Sequence, residues 1–520
     1  MFKKNKSILS IATVMLFFGT VGCKKITTDL NINPNVPSSI DAKFILSSAL
    51  KSTAALTVGN PGGGSQSGND LINIYMGYWT VSGGYIPSSA LLTYNINTDF
   101  GSSIWDNTYL SLANYESIIA SYGEKATTTG AKYVGISRIM KTFHYQRLVD
   151  TYNNIPYSQA LKAGTDNAPV YDDAATIYKS LVSQLDSAIM IINGAPASAD
   201  NPGSYDIMYG GAMNKWIVFA KTLKLKILMH QTQTAGGVAY IQTNLSGLTS
   251  EDFIGKNADA TINPGYTNNA GNQQNPLWQD IGFSTTGSIN GNGDYLRANT
   301  YAVNFYSKNN DPRLKLFYDT AASTGGKGKV VGRVFGSTDG LETNTNISSI
   351  GGNTKGKDQT AGLLKSAGQG SVILSSTESF FLQAEAMQRG LLIGTTATAY
   401  QNAVAESFRL LGVTSYADLA TAYTAQGNEN VNFTTSSNKI KTIILQKWAA
   451  LNTYDPLESW SDWRRLGIPS DLPVSIYPGT TAPHIPYRLL YPTSEYSYNK
   501  TNVNKQGTID PITSKIFWMP

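Results

Sequence analysis

The sequence predicts a mainly α protein of helical hairpins in series, with long irregular loops between them. Apolar residues recur at helical intervals over several long segments, and short turns join these segments. Two Asn-, Gly- and Thr-rich stretches, near 258–298 and 321–362, interrupt the pattern as loop insertions. No strict 34-residue repeat can be read off, so the solenoid character rests on pattern alone.

Residues 27–37, TTDLNINPNVP, lack periodic apolar positions and read as part of a tether spanning 23–37, after which a helical domain occupies 38–520. Ser38 precedes Asp41 at capping-box-like spacing, and Phe44, Leu50 and Ala54 begin an apolar helical face. Gly59 to Gly68 is a loop. Asp70 to Thr80 predicts a helix crowded with Tyr75, Tyr78 and Trp79, and further helices are predicted over Ser103–Tyr122 and Ala131–Leu148. In Tyr171–Ile192, residues Ala174, Tyr178, Leu181, Leu185, Ala188 and Ile192 alternate spacings of four and three, behind Asp172 and Asp173, which suit a helix start. Met213–Met229 repeats the pattern through Trp216, Phe219, Leu223 and Ile227. After the two polar insertions, helices resume at Ser376–Arg389, Ala397–Leu411 and Ser437–Leu451. From Trp463 the chain is rich in Pro and Tyr and is expected to wrap the surface.

The N-terminus carries an export signal. Lys3, Lys4 and Lys6 precede an apolar run from Ile8 to Phe18, too short to span a bilayer, followed by Thr20-Val21-Gly22-Cys23. Gly22 and Val21 before the only Cys resemble a bacterial lipobox, although Thr20 stands where Leu is usual. Such a site would place a lipid anchor on Cys23 after removal of residues 1–22; acyl chains contribute about 0.8 kcal/mol per buried methylene. Removal takes three Lys and no acid from 40 basic and 35 acidic residues, lowering the net charge from +5 to +2. That is no nucleic-acid footprint. Charged residues make up only 14%, so the surface must be largely uncharged and polar, which suits uncharged polar ligands.

Catalytic signatures are missing. His144, His230 and His484 lie in separate regions, HExxH and GxSxG are absent, and one Cys cannot form a disulfide within the chain or a Cys-based zinc site. Gly351, Gly356 and Lys357 have P-loop spacing, but Asp358 stands where Ser or Thr must hold magnesium. The acid pairs Asp172–Asp173 and Glu251–Asp252 look like helix-start residues. No enzyme, cofactor or metal is indicated, and calcium held by loop oxygens would leave no compact signature.

Several motifs in order resemble the SusD/RagB family of outer-membrane nutrient-binding lipoproteins, in its SusD-like subgroup. They are Cys23 with DLNINPNVP; Asn310-Asp311-Pro312-Arg313; Thr377 to Ala386, TESFFLQAEA; Gln446-Lys447-Trp448; Glu458 to Arg465, ESWSDWRR; and Arg488 to Pro492, RLLYP, with Glu495-Tyr496. The resemblance implies a TPR-like helical scaffold with ligand-facing loops, and a SusC-type TonB-dependent transporter as partner. Physically these motifs read as scaffold: Asp311 in a turn, Arg313 gripping a carboxylate or carbonyls, Glu378 and Glu385 pairing with arginines, and Trp460, Trp463, Arg464 and Arg465 docking a C-terminal helix.

Sugars offer apolar faces with polar edges, so aromatic platforms flanked by Asn, Asp or Arg are the natural ligand candidates. Tyr78, Trp79 and Tyr85, with Trp278, Phe283, Tyr295 and Arg297, meet that description. The resulting expectation is a surface, lipid-anchored binding protein that captures an oligosaccharide or other nutrient for the transporter. An exported glycan hydrolase and a structural transporter subunit that touches no ligand are the alternatives.

Overall fold

The computed structural model describes residues 41–60, 68–85, 88–123, 129–162, 167–269, 271, 273–322, 328–338, 346–351 and 358–520. The signal segment, Cys23, the tether, Ser38 and the Gly356-Lys357 pair lie outside the described residues. Helices dominate, as the periodicity predicts. Among the described residues, none is long and apolar enough to cross a membrane.

α1 (Ala42–Val58) starts at Asp41, whose carboxylate accepts the Lys43 N–H at 3.1 Å. It buries Leu46, Leu50 and Ala54, while Phe44 turns outward, 53% exposed. α2 (Gly68–Tyr75) ends sooner than the predicted 70–80 helix. Gly77 adopts a left-handed φ of 70°, and Trp79–Val81 then forms strand β1. α3 (Ser89–Thr93), α4 (Ser102–Tyr122) and α5 (Ala131–Tyr152) follow. The short β2 (Ile155–Pro156) and β3 (Tyr171–Asp172) pair antiparallel. The Asp172 carboxylate accepts the Tyr157 and Ser158 N–H groups at 3.0 and 2.8 Å, holding residues 171–172 out of the helix predicted to start there. α6 (Ala174–Asn193) therefore begins at Asp173, which caps the Thr176 N–H at 2.9 Å. α7 (Met213–His230) and α8 (Gly237–Leu245) complete this half. Consecutive helices pack pairwise. α5 meets α6 closely enough that a Cβ on Gly135 would lie 2.4 Å from Ile192 Cγ1.

The Asn- and Gly-rich stretch after 258 is less irregular than its composition suggests. It holds β4 (Ala260–Ile262), α9 (Pro276–Ile281) and α10 (Gly291–Tyr295), leading into β5 (Leu296–Ala298). β5 pairs antiparallel with β1 in the register Trp79–Ala298, Thr80–Arg297 and Val81–Leu296. Then come α11 (Thr300–Lys308), α12 (Leu314–Phe317) and β6 (Ser371–Leu374), which pairs with β4. The second helical half contains α13 (Ser376–Gln388), α14 (Thr396–Leu410), α15 (Tyr416–Thr424), α16 (Lys439–Leu451) and α17 (Pro456–Leu466), with α18 (Thr493–Tyr498) and α19 (Lys500–Asn504) near the end.

Between the two halves lies a buried charge network that takes in residues of three of the motifs, TESFFLQAEA, QKW and ESWSDWRR. Lys226 Nζ sits 2.8 Å from Glu378 Oε1, 2.7 Å from Asp455 Oδ2 and 3.2 Å from Glu458 Oε2. Lys447 pairs with Glu458 and Asp462. Arg465 grips Glu385 with two bonds of 2.6 and 2.7 Å and reaches Asp462 at 2.7 Å. His230 bridges Asp150 and Glu458 at 3.2 and 2.9 Å, and those carboxylates raise its pKa to about 9 against the cost of burial. Glu385 thus pairs with arginines as expected, whereas Glu378 faces a lysine. Arg313 is clamped to Asp311 and Gln446, each at 2.6 Å.

The C-terminal expectation needs correction. Trp463 belongs to α17, and the segment beyond does not merely wrap the surface. Trp518 is fully buried and its indole N–H donates to Asp150 Oδ1 at 3.0 Å. Leu489, Tyr491 and Ile516 are buried with it.

Candidate functional site

The loops around α9, α10 and the β1–β5 pair assemble the candidate ligand surface. Tyr85, 43% exposed, follows β1; its hydroxyl donates to Asp294 Oδ2 at 2.5 Å and its ring stands edge-on to Tyr295, with centroids 5.4 Å apart. The Asp294 carboxylate raises the Tyr85 phenol pKa by accepting that bond. Beneath them, buried Arg297 donates to Asp294 Oδ1 at 3.0 Å and to the Gly293 and Leu296 carbonyls at 2.8 and 2.7 Å. Ring pair, carboxylate and guanidinium form one column, in which Arg297 sets Asp294 and Asp294 sets Tyr85.

A cleft of about 540 Å³ is lined by Lys51, Ala55, Asn60, Tyr266, Gln274, Pro276, Gln279 and Asp280, and Asn292 of α10 donates to Asp280 at 2.7 Å. Asn275 accepts the Leu277 and Trp278 N–H groups at 3.0 and 3.1 Å, and Pro276 occupies the first turn, which fixes the start of α9. α9 then seats against the end of α1. A Cβ on Gly59 would come within 2.8 Å of Pro276 Cβ, so glycine permits this approach. Gln274 donates to the Phe283 carbonyl at 3.0 Å, tying the next loop to the cleft wall.

The seven aromatic and arginine candidates separate by burial. Tyr78 is fully buried, stacked on Trp448 at 4.9 Å, with its hydroxyl donating to the Trp448 carbonyl at 2.6 Å. Trp79 lies inside the β1–β5 pair, and Trp278 points inward, its indole N–H held by the Phe283 carbonyl at 3.0 Å. For Tyr78, Trp79, Trp278 and Arg297 the expectation of ligand contact is therefore corrected: their faces are spent on packing. Tyr85, Tyr295 and the half-buried Phe283 retain open surface.

Sequence reasoning passed over Asn60, Tyr266, Gln274, Gln279, Asp280 and Asp294. For all but Asn60, which lies in the 59–68 loop, their signal was the Asn- and Gln-rich composition of the stretch after 258, in which only the aromatic residues and Arg297 stand out as candidates. Such amide and carboxylate groups can match sugar hydroxyls as donors and acceptors, while the tyrosine rings can cover an apolar face. No histidine reaches the cleft: His144 is buried against Thr53 and Ser111, His230 sits in the charge network, and His484 stacks on Tyr487.

Residues 34–492 match a SusD-like family described as starch-binding and associating with the outer membrane. Among solved structures, a SusD homolog from Bacteroides vulgatus superposes with a TM-score of 0.72 at 20% identity, covering 91% of this chain and 97% of its own. A chitin-binding SusD homolog from Flavobacterium johnsoniae gives 0.70 at 20% identity, covering 91% and 98%. A SusD/RagB family protein from Bacteroides thetaiotaomicron gives 0.70 at 20%, covering 92% and 99%. These likenesses establish a shared fold. No curated protein matches significantly.

Proposed function

Since the chain belongs to the SusD-like family, whose members are described as starch-binding and associated with the outer membrane, we propose that it is a surface lipoprotein that captures a neutral glycan in the α9–α10 cleft. The observation that supports this reading is an exposed Tyr85 edge-on to a half-buried Tyr295, near a cleft of sugar-sized volume lined by amide and carboxylate groups. In this reading Cys23 bears the lipid anchor, residues 23–37 tether the helical domain 38–520, and the bound glycan is passed to a SusC-type TonB-dependent transporter. Capture requires no chemistry. A glycosidase needs two carboxyls about 5 Å or more apart, whereas Asp280, the one carboxylate lining the cleft among the described residues, is in direct contact with Asp70.

Calorimetric titration with starch- and chitin-derived oligosaccharides tests the capture role. Nucleic-acid bases stacked on aromatic side chains contribute about 1–3 kcal/mol each; with a sugar face taken near the low end of that range, Tyr85→Ala should weaken the bound sugar roughly tenfold. Absence of binding to every neutral glycan offered would remove it, and product release would favour the hydrolase. Pull-down of the tagged protein from detergent-extracted membrane, with Cys23→Ala as control, tests anchor and transporter together. A lone soluble protein in both cases would exclude them.

A further inference from the structure

Two carboxylates meet at the wall of the cleft, and among the described residues neither pairs with a lysine or arginine. Asp70, on α2, is fully buried, and Asp280, on α9, lines the cleft. Asp70 Oδ2 accepts from Asn60 Nδ2 at 2.8 Å and from Asn292 Nδ2 at 3.2 Å, and the same Asn292 amide donates to Asp280 Oδ1 at 2.7 Å. That satisfies one oxygen of each acid. The other two, Asp70 Oδ1 and Asp280 Oδ2, are shielded from solvent and meet no hydrogen-bond donor.

A buried pair of this kind needs positive charge between its oxygens. Among the described residues no group of three or more carboxylate, imidazole and thiol side chains is placed to hold a metal ion, so a transition-metal ligand set is lacking. The available donors are all hard oxygens. Two carboxylates balance a divalent charge, and the Asn60 and Asn292 side chains become oxygen ligands when their amides rotate by half a turn, an exchange of O and N that leaves their shape unchanged. The adjoining cleft, which Asn60 and Asp280 line, supplies room for the remaining water ligands. Calcium accepts six to eight such oxygens in irregular geometry, whereas magnesium demands a strict octahedron.

We propose that Asp70, Asp280, Asn60 and Asn292 form a divalent-cation site, best suited to calcium, at the inner wall of the cleft. A cation there cross-links α2, α9 and α10. α10 carries Asp294 and Tyr295, so occupancy would stiffen the tyrosine column as well as neutralise the wall.

The test uses the full chain treated with chelator and then titrated with calcium chloride alone, without glycan, so that it stands apart from the capture reading. One calcium should bind per chain and raise the melting temperature, with Asp280→Asn weakening binding about tenfold or more, since affinity follows the number of charged ligands. Terbium provides a second readout. Its emission, sensitised by Trp278 on the same helix, should fall in Trp278→Phe and be displaced by calcium. Asp70→Asn serves if Asp280→Asn fails to fold. The proposal is overturned if calcium and magnesium leave the melting temperature unchanged, or if calcium binds the Asp280→Asn and Asp70→Asn proteins as tightly as the wild type. A calcium-independent stability that falls as pH rises, and loses that dependence in Asp280→Asn, would overturn it in favour of a shared proton.

Discussion

Lys226→Met is the most informative perturbation of the scaffold. The ammonium contacts three carboxylates at 2.7–3.2 Å, and its side chain is 2% exposed. Methionine keeps most of the volume and removes the charge, leaving Glu378, Asp455 and Glu458 facing one another without their shared counter-ion. Breaking a buried ion pair from one side costs about 3–5 kcal/mol, mostly as the penalty on the charges left behind. With an unfolding entropy of about 2.1 cal/mol/K per residue, a chain of this length carries roughly 1 kcal/mol/K, so the melting temperature should fall by about 3–5 °C. Differential scanning calorimetry at neutral pH reads this directly. Adding Glu378→Gln should recover part of the loss, because it removes one of the stranded charges, and the two changes should be non-additive. A melting temperature unchanged or raised in Lys226→Met would refute the reasoning, since it would mean that the carboxylates do not depend on this cation.

Three further outcomes are expected. His230 is protonated when folded, with its pKa raised from 6.5 to about 9, so its contribution is complete below about pH 6.5 and disappears as pH climbs through 9; the gap corresponds to about 3 kcal/mol at most, read as the difference between the stability–pH curves of wild type and His230→Gln. Trp518→Ala should cost about 3–5 kcal/mol in denaturant unfolding, because a fully buried indole leaves a cavity and strands Asp150 Oδ1 of one donor. Gly59→Val should push α9 off the end of α1, costing about 1–3 kcal/mol and weakening glycan titration without touching Tyr85; unchanged glycan affinity would separate the cleft from the ligand.

What the sequence discloses follows from range. α4 to α7, α13, α14 and α16 were legible because a 3.6-residue period repeats over three turns or more, enough for burial on one face to dominate local propensity; the nine-residue α15 is too short to show it. β1 was not. Its three residues are buried on both faces, so they show no alternation, and their pairing partner lies more than 200 residues downstream. The same limit governs the site. Tyr78 and Tyr85 are chemically identical and seven residues apart, yet one stacks on Trp448 and the other faces solvent; only the fold decides which. Asn292 and Asp70, 222 residues apart, meet through two helices that show no mutual signal in one chain. The motif residues were readable as structural because Arg, Trp and Glu in apolar helices need partners, although which partner each found was not.

The Tyr78 hydroxyl on the Trp448 carbonyl, and Asn69 on the Thr453 carbonyl, join positions 370 and 384 residues apart. Bringing such distant segments together costs loop-closure entropy before any contact is rewarded, and chains dominated by distant contacts fold slowly. The early helices must therefore wait, with Tyr75, Tyr78 and Trp79 uncovered, until α16 and α17 exist to receive them. Once closed, the same joints act in the opposite direction: a pull applied at the start of α1 passes through α2 straight into the far half of the sequence. A protease nick at the exposed Ser284–Ser288 turn would leave two fragments held as one particle.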